Sequence, residues 1–332
     1  MFGVHGLGSH SSQAESARGS PGGVYNKFYR VRGRDQSITV ATPGPPCMAH
    51  CISAARRVVY TAIMPELPEV ETIARGLHQR LAGQRITDVW IGNKTNLLKS
   101  PARQIARVLT GARIVAFRRV GKHIVCDLDS AAGPAQWIIH LGMTGRCAVC
   151  EPGHPLAAHT HLVATLASHR EMRFVDPRRF GKLQVVTGHK FRAPGQEPTT
   201  VDEDTFVALF KGRNTPIKSA LLNQSLLSGV GNIYADESLF RAGIRPRRKA
   251  LRITRAELLA LRHSVQQVLA EAIAAGGSSI NDYVDANGDE GFFQLQHRVY
   301  QRTGEPCLVC RTPIARTVIA GRSSHYCPKC QK

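Results

Sequence analysis

Pro65 and Glu66, in the run Met64-Pro-Glu-Leu-Pro-Glu69, are the residues whose types and adjacency first suggest covalent chemistry. A proline at a chain terminus is a secondary amine, and an α-amine has a pKa of about 7.7–8.0, far below that of lysine. Such an amine is a ready nucleophile for a sugar or carbonyl carbon. In the full sequence Pro65 is internal, so its nitrogen is an amide that attacks nothing. Two readings stand: the working chain begins at Met64 and loses that methionine, or the prolines only start a helix, where their missing N–H has no partner to lose.

A second constellation is Cys307-Leu-Val-Cys310 and Cys327-Pro-Lys-Cys330, with sixteen residues between the pairs. That spacing suits a four-cysteine zinc site in which four thiolates close the tetrahedral shell, making one zinc structural; a disulfide pair is the alternative. Between the pairs, Ile314 to Ser324 reads as a hairpin with Gly321-Arg322 at its tip. Arg322 there either forks onto phosphate oxygens or is simply solvated. Gly229-Val-Gly231-Asn232 precedes an apolar-periodic stretch, so Asn232 is expected as a helix N-cap, and free N–H groups there bind phosphate. Lys211, Arg213 and Lys218 lie just upstream; an ordinary helical turn is the other reading.

Asp176-Pro-Arg178-Arg179-Phe180-Gly181 sets cations beside an aromatic on a tight turn. Its side chains either wedge into a base stack, filling the gap left by an extruded base, or bury against the core, and the same alternatives apply to Met143. Lys122, at the start of an alternating strand, is by itself one surface lysine among many. Cys147 and Cys150, with His154, His159 and His161 downstream, are either a second metal site or half-buried strand cysteines.

These residues need scaffolding. Val70, Ile73, Ala74, Leu77 and Leu81 recur at helical spacing after Pro68, and Gly83 ends the pattern. From Arg85 to about Thr187 short β-rich runs follow (86–91, 114–117, 123–128, 137–141, 161–166 and 183–186), suggesting a sandwich or barrel with the first helix packed on it. Pro194, Gly195 and Pro198 mark a hinge, and helices are expected over 204–211, 217–227, 233–241 and 255–275. The last opens on a Thr254/Glu257 capping box.

The 332 residues carry 44 Lys and Arg against 24 Asp and Glu, a formal +20 that speaks to a nucleic-acid or other anionic partner rather than to fold. Residues 1–63 hold seven of the basic and two of the acidic side chains, leaving +15 on the rest. This Gly-, Ser-, Pro- and Arg-rich segment has no periodicity and is expected to be disordered, a product of a mis-chosen start codon. No apolar run of about 18 residues suggests a membrane span, and nine cysteines with four in metal spacing fit a reducing compartment, so an intracellular protein is expected.

Met64 to Thr72, His140-Leu-Gly-Met-Thr-Gly145, Asp176 to Gly181, Gly229 to Ala235 and the terminal four-cysteine module together resemble the formamidopyrimidine-DNA glycosylase family, from Met64 to Lys332. The resemblance implies an α+β protein: a β-sandwich with a leading helix over 64–190, a helix-two-turn-helix domain over 195–298 and a zinc finger over 299–332, with damaged double-stranded DNA in the cleft. It implies a monomeric bacterial, cytoplasmic enzyme that excises oxidised purines and cleaves the strand. Pro65 would be the nucleophile, Glu66 the neighbouring proton donor, Lys122 a proton donor in β-elimination, and Arg322 a phosphate grip that assists δ-elimination. Met143, Arg178 and Phe180 would fill the vacated space; His159, Arg213, Lys218 and Asn232 would contact the DNA backbone. Two alternatives stay open: an endonuclease VIII-type enzyme for oxidised pyrimidines, disfavoured by Leu67 and the stretch 278–300, and a non-catalytic DNA-binding zinc protein if Pro65 stays internal.

Overall fold

Helix α1 (Leu67–Leu81) forms where the spacing predicts it, and its apolar face is shared between two cores. Val70, Ile73, Ala74, Leu77 and Leu81 pack into the sandwich, whereas Leu67 is buried in the helical half. The computed structural model describes residues 64–278 and 291–332. The expected disordered segment 1–63, with Cys47 and Cys51, and residues 279–290 of the 278–300 stretch lie outside the described residues.

After α1 come β1 (Ile86–Ile91), α2 (Ala102–Leu109), β2 (Arg113–Val120), β3 (His123–Ser130), β4 (Gly133–His140), β5 (Arg146–Cys150), β6 (Thr160–Leu166), β7 (Glu171–Val175) and β8 (Lys182–Thr187). They make two antiparallel four-stranded sheets, ordered β1-β6-β7-β5 and β2-β3-β4-β8. Inner faces of both sheets, with α1 and α2, enclose one apolar core around Trp137, Phe174 and Phe117. This is the expected sandwich, with α2, β5 and β7 added.

The second half holds α3 (Glu203–Phe210), α4 (Ile217–Leu221), α5 (Asn232–Arg241) and α6 (Arg255–Ala274), and the chain closes with the hairpin β9 (Ala315–Ile319) and β10 (Arg322–Tyr326). Thr254 and Glu257 form the capping box: Thr254 N–H donates to Glu257 Oε2 at 2.8 Å and Glu257 N–H to Thr254 Oγ1 at 3.3 Å. Among the described residues no helix is long and apolar enough to cross a membrane.

Three local expectations are corrected. α4 stops at Leu221 instead of reaching Leu227, because Asn223 Oδ1 takes the Ser225 N–H (3.0 Å) and offers the backbone a turn. The N-cap of α5 is Gly231, and Asn232 is the first helical residue. The hairpin turns on Ala320 and Gly321, both with positive φ (47° and 75°) as a tight two-residue turn requires, so Arg322 begins β10 beside the tip.

Candidate active site

Glu66 caps a helix it does not belong to. Its Oε1 accepts the Ile233 N–H at 3.2 Å, the bond an N-cap side chain would ordinarily make in the first turn of α5. A glycine N-cap is therefore required: a Cβ on Gly231 would overlap the Glu66 carboxyl group. Gly229, at φ +110°, likewise lets Leu67 in, for a Cβ there would lie 2.7 Å from Leu67 Cδ1. Leu67 N–H donates to Gly229 O at 3.2 Å, and Gln224 braces the loop by donating to Val230 O (2.8 Å) and accepting from Gly229 N–H (2.9 Å).

Burial raises the Glu66 pKa to about 7, against the lowering influence of Lys122, so near neutrality much of it is a neutral acid. Its Oε2 is buried and has no hydrogen-bond partner among the described residues. Glu69 lies directly behind. It accepts Glu66 N–H at 2.9 Å, Ser278 N–H at 2.8 Å and the Tyr234 hydroxyl, tying the start of α1 to α5 and to the end of α6.

Lys122 stands in the β2–β3 turn after Gly121, whose φ of +59° and close approach to Ser228 exclude a side chain. Burial pulls the lysine below its usual pKa, while Glu66 and Glu69 oppose that effect. Met64, Glu66, Lys122, Asn232 and Arg322 all border one cavity of about 530 Å³ between the sandwich and the helical half. Pro65, half-buried, sits between two of them in the chain.

The hairpin that brings Arg322 here is anchored from beneath. Lys218 has no exposed surface; its ammonium pairs with Asp236 Oδ1 and donates to Ser323 O, both at 2.6 Å. Asp236 Oδ2 also accepts the backbone N–H of His325 at 2.9 Å. Lys218, expected at the DNA backbone, is thus committed to holding the finger. Asn232 Nδ2 reaches Ser323 Oγ at 3.4 Å.

A second group forms at the far ends of β4 and β7. Thr144 Oγ1 donates to Asp176 Oδ1 (2.5 Å), and Gly181 N–H donates to Asp176 Oδ2 (2.8 Å), which locks the 141–145 and 176–181 turns together. Met143 is half-buried, while Phe180 is 50 % exposed under the Arg178 guanidinium, 5.1 Å from the ring centroid. The buried-aromatic alternative therefore fails for Phe180. His159 is exposed at φ +62°, and its carbonyl accepts Asp176 N–H at 3.0 Å. Arg213 is exposed on the turn after α3.

The Sγ atoms of Cys307, Cys310, Cys327 and Cys330 lie within 4.8 Å of one another, with 3.9 Å from Cys307 to Cys330 and 3.4 Å from Cys310 to Cys327. Zinc–sulfur bonds of about 2.3 Å put tetrahedral ligands about 3.8 Å apart, so the donor set fits one structural Zn²⁺. No other metal-type cluster occurs among the described residues. Cys147 is a buried strand residue opposite Phe174, its thiol pushed up to about 12 by burial, and Cys150 ends the same strand.

Sequence reasoning gave no role to His140, Gln224, Tyr300 or Ser323, which also line the cavity. His140 opens the His140–Gly145 motif; its pKa falls to about 4 through burial and through His123, so it is neutral at pH 7. Nothing in the local sequence around Tyr300 or Ser323 signals the cavity, because the fold alone brings them there.

A buried acid, a depressed lysine and a finger-borne arginine around one cleft, with exposed cations and an aromatic at its margin, define a two-part, zinc-stapled protein equipped to hold a polyanion and do acid–base chemistry on it. The comparisons specify it. The formamidopyrimidine-DNA glycosylase N-terminal domain matches residues 64–183, the H2TH domain of the same enzymes 193–284, and the zinc finger found in FPG and IleRS 304–332. A formamidopyrimidine-DNA glycosylase of Solibacter usitatus is 47% identical over 271 residues, 81% of this chain and 100% of the relative; one of Ruegeria sp. is 43% identical over 287. The crystal structure of the MutM (Fpg) protein from Thermus thermophilus superposes with a TM-score of 0.71 at 37% identity, covering 80% of this chain and 98% of that one. The Lactococcus lactis Fpg in complex with abasic-site DNA gives 0.72 at 33% identity, covering 80% and 99%. The chain belongs to the formamidopyrimidine-DNA glycosylase family.

Proposed function

We propose that the protein is a base-excision DNA glycosylase with strand-cleaving lyase activity, acting as a monomer on oxidised purines in bacterial cytoplasmic DNA. The observation that carries the reading is the convergence of Glu66, Lys122 and Arg322 on the cavity next to Pro65. A base inside a duplex is out of reach, so the damaged nucleotide is flipped out, at a cost of a few kcal/mol that is smallest for a poorly stacked lesion. Met143, Arg178 and Phe180 occupy the space it leaves. His159, Arg213 and Asn232 hold the backbone.

The secondary amine of Pro65, once it is the chain terminus, attacks the sugar C1′. Glu66, neutral below about pH 7, supplies the proton as the base departs. The resulting iminium acidifies the 2′ hydrogen, and elimination cleaves the strand. Lys122 serves proton transfer there, while Arg322 grips phosphate and assists the second elimination. Zinc holds the finger's shape and takes no part in these steps.

A chain starting at Met64 with that methionine removed should form a borohydride-reduced covalent adduct with 8-oxoguanine duplex DNA, and the 332-residue chain should not. Efficient trapping by the uncleaved chain, verified by adduct mass, would move the nucleophile to another amine, with Lys122 tested first. Preference for thymine glycol over 8-oxoguanine duplexes would overturn the purine assignment.

A further inference from the structure

Six cations in eleven residues, Arg245 to Arg255, take no part in the site described above, and no acidic residue interrupts them. Three are committed internally: Arg248 to Glu257 (2.6 Å), Arg255 to Asp204 (2.7 Å), and Arg245 to the Pro328 carbonyl (2.7 Å). Arg247, Lys249 and Arg252 are exposed and form no ion pair with any described residue. Three like charges left without an ion pair in six residues oppose the folded state, and a bound polyanion offsets that repulsion.

The backbone of this segment is held between two expected DNA contacts. Ile217 N–H donates to Arg248 O at 2.7 Å, Ala250 N–H to Thr215 O at 2.9 Å, and Leu251 N–H to Arg213 O at 2.9 Å, which stitches it beside the turn carrying Arg213. On its other side Arg247 donates to the Thr317 hydroxyl and to the Val318 carbonyl (3.1 Å) of β9, the strand paired with the one that Arg322 begins. The cations therefore bridge the finger hairpin and Arg213 on a rigid track.

We propose that Arg247, Lys249 and Arg252 form a second, sequence-independent contact with the DNA backbone, flanking the lesion and extending the enzyme's footprint beyond the cavity. The inference rests on the glycosylase reading for the presence of DNA. Phosphate contacts of this kind fix register and speed encounter without reading bases.

The test uses Lys249→Gln/Arg252→Gln, which leaves the Arg247 contact to the hairpin intact, and then the triple variant with Arg247→Gln. Affinity is measured against salt on an 8-oxoguanine duplex of just over one helical turn, about 12 bp, and on one of about three turns. Each lost phosphate contact lowers the slope of log K against log salt by about 0.9, so the double variant should lose about 1.8 on the long duplex and nothing on the short one. Borohydride trapping on the short duplex, with variant and parent chains both beginning at Met64 and freed of that methionine, should match the parent. An unchanged slope on the long duplex overturns the proposal, and an equal loss on both lengths overturns the flanking location. Failure of the parent to trap the short duplex would count against the glycosylase reading, a separate outcome.

Discussion

Glu66 and Arg322 reach one cavity from two very different supports. Glu66 stands where two large apolar cores meet, with Leu67 fully buried beside it and backbone-to-side-chain contacts so close that only glycine fits at 229 and 231. Burying a leucine completely contributes about 1.5–3 kcal/mol, and the sandwich repeats such burial many times over. Arg322 is carried by a module whose buried cluster is Phe240, Val299, Cys307, Ile314 and Cys327, two of the five being metal ligands. Beneath it lies the ion pair of Lys218 and Asp236, with no exposed surface on either side. Such a pair is costly to break by halves, about 3–5 kcal/mol, and so fixes geometry more than it adds net stability. Packing positions a group where there is core enough; coordination and a buried charge do so where there is not.

The largest way to break this contrast is to remove the metal. Chelation, or Cys327→Ser, should unfold the finger and abolish lesion-DNA binding by more than about a hundredfold, since structural zinc in such modules carries most of the folding free energy. The sandwich should persist. Both tryptophans, Trp90 and Trp137, lie in it, so their fluorescence should stay native while binding is lost. Coupled loss of the tryptophan signal would mean that the two supports are one.

A smaller effect comes from the opposite side. Gly231→Ala forces the Glu66 carboxyl aside and should lower 8-oxoguanine excision about a hundredfold, the scale of a displacement of about 1 Å in a catalytic group. Zinc content should stay at one per chain and DNA affinity within a few-fold, as measured by metal analysis and titration. Activity retained in this variant would free Glu66 from its assigned role.

The mildest test changes only pH. Glu66 has a raised pKa, so its proton is held below about pH 7 and lost above it; excision should fall roughly tenfold per unit on that limb. The amine runs the other way, becoming unprotonated as pH approaches about 8. Borohydride trapping on a preformed abasic site should therefore keep rising through the range where base excision declines. Glu66→Gln should abolish the excision limb and spare binding. Parallel profiles for both substrates would sink the division of labour.

Much of this was legible in residues that must be one type. The four cysteines, the glycines at 229 and 231 and the Pro65-Glu66 pair each announce a geometry, and β1 shows its bounds in its apolar run. Strand β7 was hidden because Arg173 lies buried in its middle; the charge is met by Glu171 (2.6 Å) and the carbonyls of Pro155 and His154 (2.7 Å each), partners that no local pattern displays. Helix α2 went unread although Ile105, Val108 and Leu109, all buried, stand at helical spacing. Lys218 reads from the sequence as a contact to the DNA backbone because its partner Asp236 is one helix away, and a sequence shows charge without showing where it is neutralised.

The bond from Ile233 N–H to Glu66 Oε1 spans 167 positions of chain. Until α5 has been synthesised and has docked, Glu66 is solvated and lacks the burial that raises its pKa. Chemical competence thus arrives with completion of the tertiary structure. A truncated or half-folded copy that still touched DNA would lack the buried, proton-holding carboxyl group on which the proposed base release depends.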